Sequence, residues 1–220
     1  MDPAVTNSDK ENSSLAEQAY YLLEEQLVTF KLAPGELISE KDLIERTGIG
    51  RTPVREAIQR LSADGLLRVL PRKGLMVTQL RRSELFKIIE ARRVLERLLV
   101  VKSAERATPD QRQALLLLAT HIEAADGDVE MSFRLNAHLG ELLGAACQNR
   151  FLVEALAATN GRCRRLWYLQ REHVNLSRSA QLHAGLSRAV ADGDGAGAIR
   201  AQDEIIATIE GLVEGLDVLN

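Results

Sequence analysis

Arg51 and Arg55 stand four residues apart in the run Arg51-Thr52-Pro53-Val54-Arg55-Glu56-Ala57, a spacing that puts both guanidiniums on one face of a helix. A guanidinium carried there spans the O6 and N7 acceptors of guanine in a duplex major groove, and such a bidentate pair discriminates between bases by about 1–3 kcal/mol. Further on, Arg72-Lys73-Gly74 sets two cations beside a glycine, a composition suited to phosphate contact. The chain as a whole carries a formal net charge of -3, yet from Arg46 to Arg82 it has nine basic residues against two acidic ones. One basic module on an otherwise acidic chain is the footprint of contact with a nucleic-acid backbone. A merely solvated charged face is the competing account; it suits a lone charge run, whereas this run coincides with helix, turn and hairpin signals that agree with one another.

Those side chains need elements to aim them. Ser39-Glu40-Lys41-Asp42 has the form of a capping box, in which a hydroxyl and a later carboxylate each satisfy a backbone N–H left unpaired by the first helical turn. A helix is predicted from about residue 40 to Gly48. A second is predicted from Thr52-Pro53, a hydroxyl cap followed by the imino acid favoured at the first helical position. Leu43, Ile44, Val54, Ala57, Ile58 and Leu61 are spaced to let the two helices share a core, which leaves Arg51, Arg55 and Gln59 on a face open to a partner. With the basic hairpin that follows, this order is a winged helix-turn-helix.

Pro34-Gly35, Leu37, Ser39-Glu40, Leu43, Gly48, Arg51 through Ala57, Leu61, Asp64-Gly65-Leu66 and the Arg72-Lys73-Gly74 wing together resemble the DNA-binding domain of GntR-type bacterial transcription regulators. The length and helical pattern beyond them resemble the FadR branch, whose C-terminal half is an all-helical ligand-sensing and dimerising domain called FCD. Carried over by position, the resemblance implies that Lys41, Arg51 and Arg55 are groove and phosphate contacts. It implies that Thr52 bonds a phosphate from a helix N-terminus and that Arg72, Lys73 and Gly74 form a wing tip entering the minor groove. Gly50 departs from the pattern, because the family usually has a serine or threonine there; one hydroxyl contact is removed and a backbone N–H is left to replace it.

With 220 residues, 45% hydrophobic and 27% charged, the chain fits one small and one medium domain. No apolar run approaches the roughly 20 residues needed to span a bilayer, and Met1-Asp2-Pro3 lacks a basic leader followed by an apolar stretch. The expectation is a soluble, cytoplasmic protein with no membrane partner. Cys147 and Cys163, without C-x-x-C spacing, read as reduced, packed thiols.

The fold class expected is mostly α: an N-terminal winged helix-turn-helix over 14–80, preceded by a disordered tail over 1–13, and a C-terminal all-α antiparallel helical bundle over 81–220. In the bundle apolar residues recur at three- and four-residue steps. Helices are predicted from Ser83 to about Ala107, from the Thr108-Pro109-Asp110 cap to about Ala125, after Asp128, over Phe151–Glu172, over Leu176–Ala191, and after Gly193-Asp194-Gly195. Ile88, Val94, Leu95, Leu98 and Leu99 belong either to the interior or to a dimer face.

The FCD resemblance implies a metal held by an Asp or Asn, a His four residues later, and one His on each of two later helices. Asn136 and His183 occupy two of these positions; Gly140 and Ile205 stand at the others. His138 is two residues out of register, which turns its side chain about 200° away on a helix. Two weak donors do not hold zinc, so the expectation is no metal and no cofactor. Asp192 to Asp194 with flanking glycines reads as an inter-helix turn, since Ala196 sits where a calcium loop needs its third oxygen.

An effector would then need direct donors. Arg92 matches a family position whose arginine points into the bundle, and with Asn136, Arg165 and His183 it forms the candidate effector-binding set, Trp167 and Tyr168 adding an aromatic wall. The structural alternative pairs Arg92 with Glu96, four residues on, and puts Trp167 in the core. The function expected is a transcription regulator, a repressor, that binds double-stranded DNA at an inverted-repeat operator as a homodimer and answers to a small organic acid or related metabolite. A constitutive DNA-binding regulator with a decayed sensor pocket is the alternative. An enzyme with a DNA-binding arm, using Cys147, His183 or Asp203, lacks any nucleophile-base-oxyanion motif.

Overall fold

The computed structural model describes residues 14–125 and 127–216, so the tail expected over 1–13 lies outside the described residues. Two compact units emerge among the described residues, one made of 14–80 with 160–168, the other of 81–159 with 169–216.

The first unit opens with α1, Leu15–Val28, whose start is a complete Ser14/Glu17 capping box. Its inward face, Ala19, Leu23 and Leu27, is fully buried. A short strand β1, Leu37–Ile38, leads into α2, Glu40–Thr47. The Ser39/Asp42 capping box starts α2, and Gly48 ends it in the left-handed region at φ 67°, where a side chain is strained. The second helix of the motif, α3, covers Arg51–Ala63. Strands β2, Leu67–Leu70, and β3, Gly74–Val77, then form the wing.

The sheet runs β1-β3-β2 and is antiparallel throughout, and the pairing of Leu70 with Gly74 leaves Pro71, Arg72 and Lys73 as the hairpin tip. Leu43, Val54, Ala57, Leu61, Leu66 and Val77 join the α1 residues in one core. Each large aliphatic side chain buried there contributes about 1.5–3 kcal/mol, which is what fixes the angle at which α3 presents its outer face. Residues 160–168 cluster with this unit, where the Arg164 Nη1 donates to Glu24 Oε2 at 2.7 Å.

The second unit is helical among the described residues: α4 Arg82–Arg106, α5 Pro109–Ala124, α6 Val129–Cys147, α7 Arg150–Gln170, α8 Leu176–Ala191 and α9 Gly195–Glu214, of which α7 lends its 160–168 stretch to the first unit. Leu99, Val100, Leu115, Leu118, Leu139, Leu143, Leu182, Leu186, Val190 and Ile205 make up its core. The α4 set divides, with Leu99 interior and Leu95 packed against the core, while Val94 is 69% exposed and Leu98 44%. Buried hydroxyls tie helices through carbonyls: Ser103 Oγ donates to Leu143 O and Ser187 Oγ to Leu115 O, both at 2.8 Å. Arg112 serves two helix C-termini at once, donating from Nη2 to Ala104 O at 2.8 Å and from Nη1 to Ala191 O at 2.6 Å. Those carbonyls have no partner inside their own helices. The Asp192–Asp194 segment is the inter-helix turn its composition predicts, with the Asp194 carboxylate capping α9 by accepting from Gly197 N at 2.8 Å.

On the α4–α9 seam, Arg97 makes two bonds of 2.7 Å to Asp203. Those bonds and the charge behind them hold the Asp203 carboxyl below the usual carboxylate range. A carboxyl with a lowered native value stabilises the fold above its unfolded pKa of about 3.9, and that contribution disappears as pH falls through the lowered native value. The melting temperature of Asp203→Asn should therefore lie below that of the wild-type chain at about pH 6, with the gap narrowing as pH falls below about 4. A gap that stays constant over this range refutes the pairing.

Candidate nucleic-acid interface and effector site

The reading surface starts at the first turn of α3. Its N-cap is Gly50, extended at φ -65° and ψ 166°, and no side chain caps the helix. Thr52 is thus the second helical residue rather than the cap the Thr-Pro signature suggested. Glycine is tolerated at an N-cap, and the burial of Val54, Ala57, Ile58 and Leu61 settles where the helix runs. The consequence is chemical: the N–H groups of Arg51 and Thr52 lie in the first turn, where a helix offers no internal acceptor, and Pro53 has no N–H. An uncapped helix start is suited to a phosphate oxygen.

Arg51 and Arg55 share an outer face as the spacing required, and both are mostly exposed. Each is paired with the same carboxylate. Glu40, at the first position of α2, lies 3.2 Å from Arg51 Nε through Oε1, and its Oε2 accepts from Arg55 Nε at 2.8 Å. Lys41, highly exposed, pairs loosely with Glu45 at 3.6 Å. Not every cation of the module faces outward: the Arg60 guanidinium lies 4.3 Å from the centre of the Tyr20 ring, whose hydroxyl donates to Asp64 at 2.7 Å.

At the wing, Arg72 adopts φ 64° in a turn closed by Lys73 N donating to Leu70 O at 3.0 Å. A proline at the second position and a positive φ at the third are the signature of a type II turn. Arg72 and Lys73 are exposed and make no salt bridge among the described residues. Gly74 is required by conformation and by space, since at φ 94° an added Cβ would meet Ile38 O at 3.0 Å. Lys73→Ala removes one exposed, unpaired charge and no packing. It should weaken binding to matched and mismatched duplexes alike and lower the salt slope of log K by about 1, as measured by anisotropy at several salt concentrations. Loss of discrimination with an unchanged slope would contradict this role.

Of the candidate effector set, Arg92, Asn136 and His183 lie in the second unit. Arg92 donates from Nη1 to Thr159 Oγ1 at 2.8 Å and pairs through Nη2 with Glu96; Gln202 Nε2 donates to the other oxygen of Glu96 at 2.6 Å. Burial pushes the Glu96 carboxyl above its ordinary range, with Arg92 and Gln202 pulling the other way. The Arg92–Glu96 pairing held as the structural alternative is therefore present, and Gln202 and Thr159 are additions that sequence spacing gave no reason to name.

His183 is half-buried on α8, and its Nδ1 donates to Ser179 O at 2.8 Å, which leaves Nε2 as the acceptor. Burial lowers its pKa, so it is neutral at pH 7. Asn136 is half-buried on α6. Arg165 has a different setting. It clusters with the first unit, is fully buried, donates from Nη1 to Thr78 Oγ1 at 3.2 Å, and lies 5.4 Å from the Phe30 ring centre. Burial and nearby Arg162 push its pKa down to about 10. Tyr168 is likewise placed by Phe30, at 6.2 Å between rings. Arg165, Trp167 and Tyr168 all lie in the first unit.

The residues do not fit a metal. Gly140 is exposed and a Cβ there would meet nothing, Ile205 is an apolar core residue, and no group of three or more His, Cys, Asp or Glu gathers among the described residues. One imidazole and one amide fall short of the three or four donors a transition metal takes.

A winged helix-turn-helix presenting paired arginines, with a second, helical unit, is the architecture of a DNA-binding transcription regulator. Residues 15–77 match the family described as bacterial regulatory proteins, gntR family, and residues 87–208 match the FCD domain, so this chain belongs to the GntR family and carries an FCD domain. It is 30% identical over 158 residues to the Nta operon transcriptional regulator of Aminobacter aminovorans, covering 71% of this chain and 75% of that one. It is 29% identical over 164 residues to the HTH-type transcriptional repressor RspR of Escherichia coli, covering 72% and 71%. The fold is similar to that of Escherichia coli McbR/YncC, with a TM-score of 0.77 at 24% identity over 92% of this chain and 98% of the other. No helix among the described residues is long and apolar enough to cross a membrane.

Proposed function

We propose that this chain is a repressor that binds an inverted-repeat operator as a homodimer in the cytoplasm and is released by a small organic acid or related metabolite. Lys41, Arg51, Thr52, Arg55, Arg72, Lys73 and Gly74 contact the duplex; Arg92, Asn136 and His183 line the effector site. The observation that carries this reading is the outward pair Arg51 and Arg55 on the first turns of α3, beside an uncapped helix start. One such head makes few contacts, and two related by a twofold axis match a symmetric duplex. The effector acts by preferring one arrangement of the dimer over another. A thermal-shift screen of organic acids, with and without chelator, followed by a DNA mobility shift with each hit, tests it. A compound that both raises the melting temperature and loosens DNA binding supports it; the failure of every compound refutes the sensing role.

A constitutive regulator with a decayed sensor is a second reading. It is favoured by the charge of Arg92 being already met by Glu96.

A further inference from the structure

The two arginines of the reading surface are not independent side chains. Each is engaged through Nε, the guanidinium nitrogen nearest its own backbone, by a different oxygen of one carboxylate: Glu40 Oε1 at 3.2 Å from Arg51 and Oε2 at 2.8 Å from Arg55. The side chains of Arg51 and Arg55 are 71% and 59% exposed while that of Glu40 is 30% exposed, so the carboxylate sits beneath two outward heads. Among the described residues the terminal nitrogens of both guanidiniums make no other ion pair. Those terminal nitrogens are free for the parallel bonds that a guanine edge accepts.

We propose that Glu40 is a specificity-determining positioning residue: its carboxylate clamps Arg51 and Arg55 as a preset pair that reaches base edges, and penalises the binding mode in which the same arginines swing to phosphates. An arginine has several rotatable bonds, and a free one finds the nearest phosphate on any duplex. To do so here it must leave Glu40, which strands a carboxylate next to a polyanion. On a matched duplex the pair reaches guanine with Glu40 still attached, so nothing is given up. Charge and geometry thus act on the two kinds of duplex with opposite sign, which a purely stabilising residue does not do. Glu40 also begins α2, where a negative charge suits the helix N-terminus. That role is shared by aspartate and must be separated in the test.

This inference rests on Arg51 and Arg55 being the base contacts proposed above. The experiment starts by selecting a duplex from a randomised library with the full wild-type chain. Affinities of wild type, Glu40→Gln and Glu40→Asp are then measured for the selected duplex and a scrambled one at several salt concentrations, with a melting curve for each protein. Glu40→Gln should tighten binding to the scrambled duplex, steepen the salt slope by about 1, and lower the ratio of selected to scrambled affinity about tenfold, the scale of one lost base contact. Glu40→Asp keeps the charge but is a methylene too short to bridge both Nε atoms, so it should lower the ratio with the slope unchanged. Equal loss on both duplexes, or a wild-type ratio in both variants, overturns the proposal. A wild-type chain that enriches no duplex overturns the base-contact reading beneath it, and the proposal with it.

Discussion

Glu96→Leu should destabilise the helical unit by about 3–5 kcal/mol, because it removes one member of a buried pair and leaves the other charged. The Arg92 side chain is 15% exposed and that of Glu96 9%, so water reaches neither well enough to screen the loss. Gln202 Nε2 also loses its acceptor, and a buried donor left without one costs about 1–3 kcal/mol. The double variant Arg92→Met with Glu96→Leu separates the cost of removing the carboxylate alone from the worth of the pair. It should recover most of the loss, since a matched apolar pair of similar volume is often neutral or stabilising. Urea unfolding followed by circular dichroism at pH 7 measures both. If the double variant is as unstable as the single, the guanidinium is solvated in the folded chain and the network is not the tie described here.

Arg55→Ala should cut discrimination between a matched duplex and one mismatched at the guanine it reads by about 1–3 kcal/mol, that is by roughly 5- to 150-fold. Binding to unrelated DNA should change much less, because Arg55 in this setting serves a base edge. The contrast with Lys73→Ala is the diagnostic, one variant losing preference and the other losing grip. Competition binding with single-position mismatches decides it, and the reverse pattern would exchange the two roles. The two experiments also bear on one question. Arg92–Glu96 and Arg51–Glu40–Arg55 are both cations held by an internal carboxylate, one buried and one exposed. The buried pair carries stability, whereas the exposed pair contributes little to stability and acts on geometry.

Much of the architecture was legible locally. The capping box at Ser39 and the Thr108-Pro109 start of α5 are read within four residues, and α8 runs from Leu176 to Ala191 as its periodicity predicted. The same kind of signal, Ser14-Leu15-Ala16-Glu17, marks the start of α1. Thr52 shows where such rules stop. Hydroxyl followed by proline is a good cap signature, yet the cap is Gly50, because a cap worth about 1 kcal/mol yields to the burial of four apolar side chains along α3.

By itself the sequence determined the class of protein, a winged helix-turn-helix with a basic stretch over 46–82 followed by a helical domain, and most of the helices in order. Those features follow from caps, turn residues and apolar spacing, which act between neighbours in the chain. Only the tertiary structure decided how charges are matched. Glu40 bridges arginines 11 and 15 residues away, Gln202 reaches Glu96 across 106 residues, and Arg165 meets Thr78 and Phe30 across 87 and 135 residues. Side chains so far apart along the chain become partners only when packing closes the loops between them, and no local periodicity records which ones will meet.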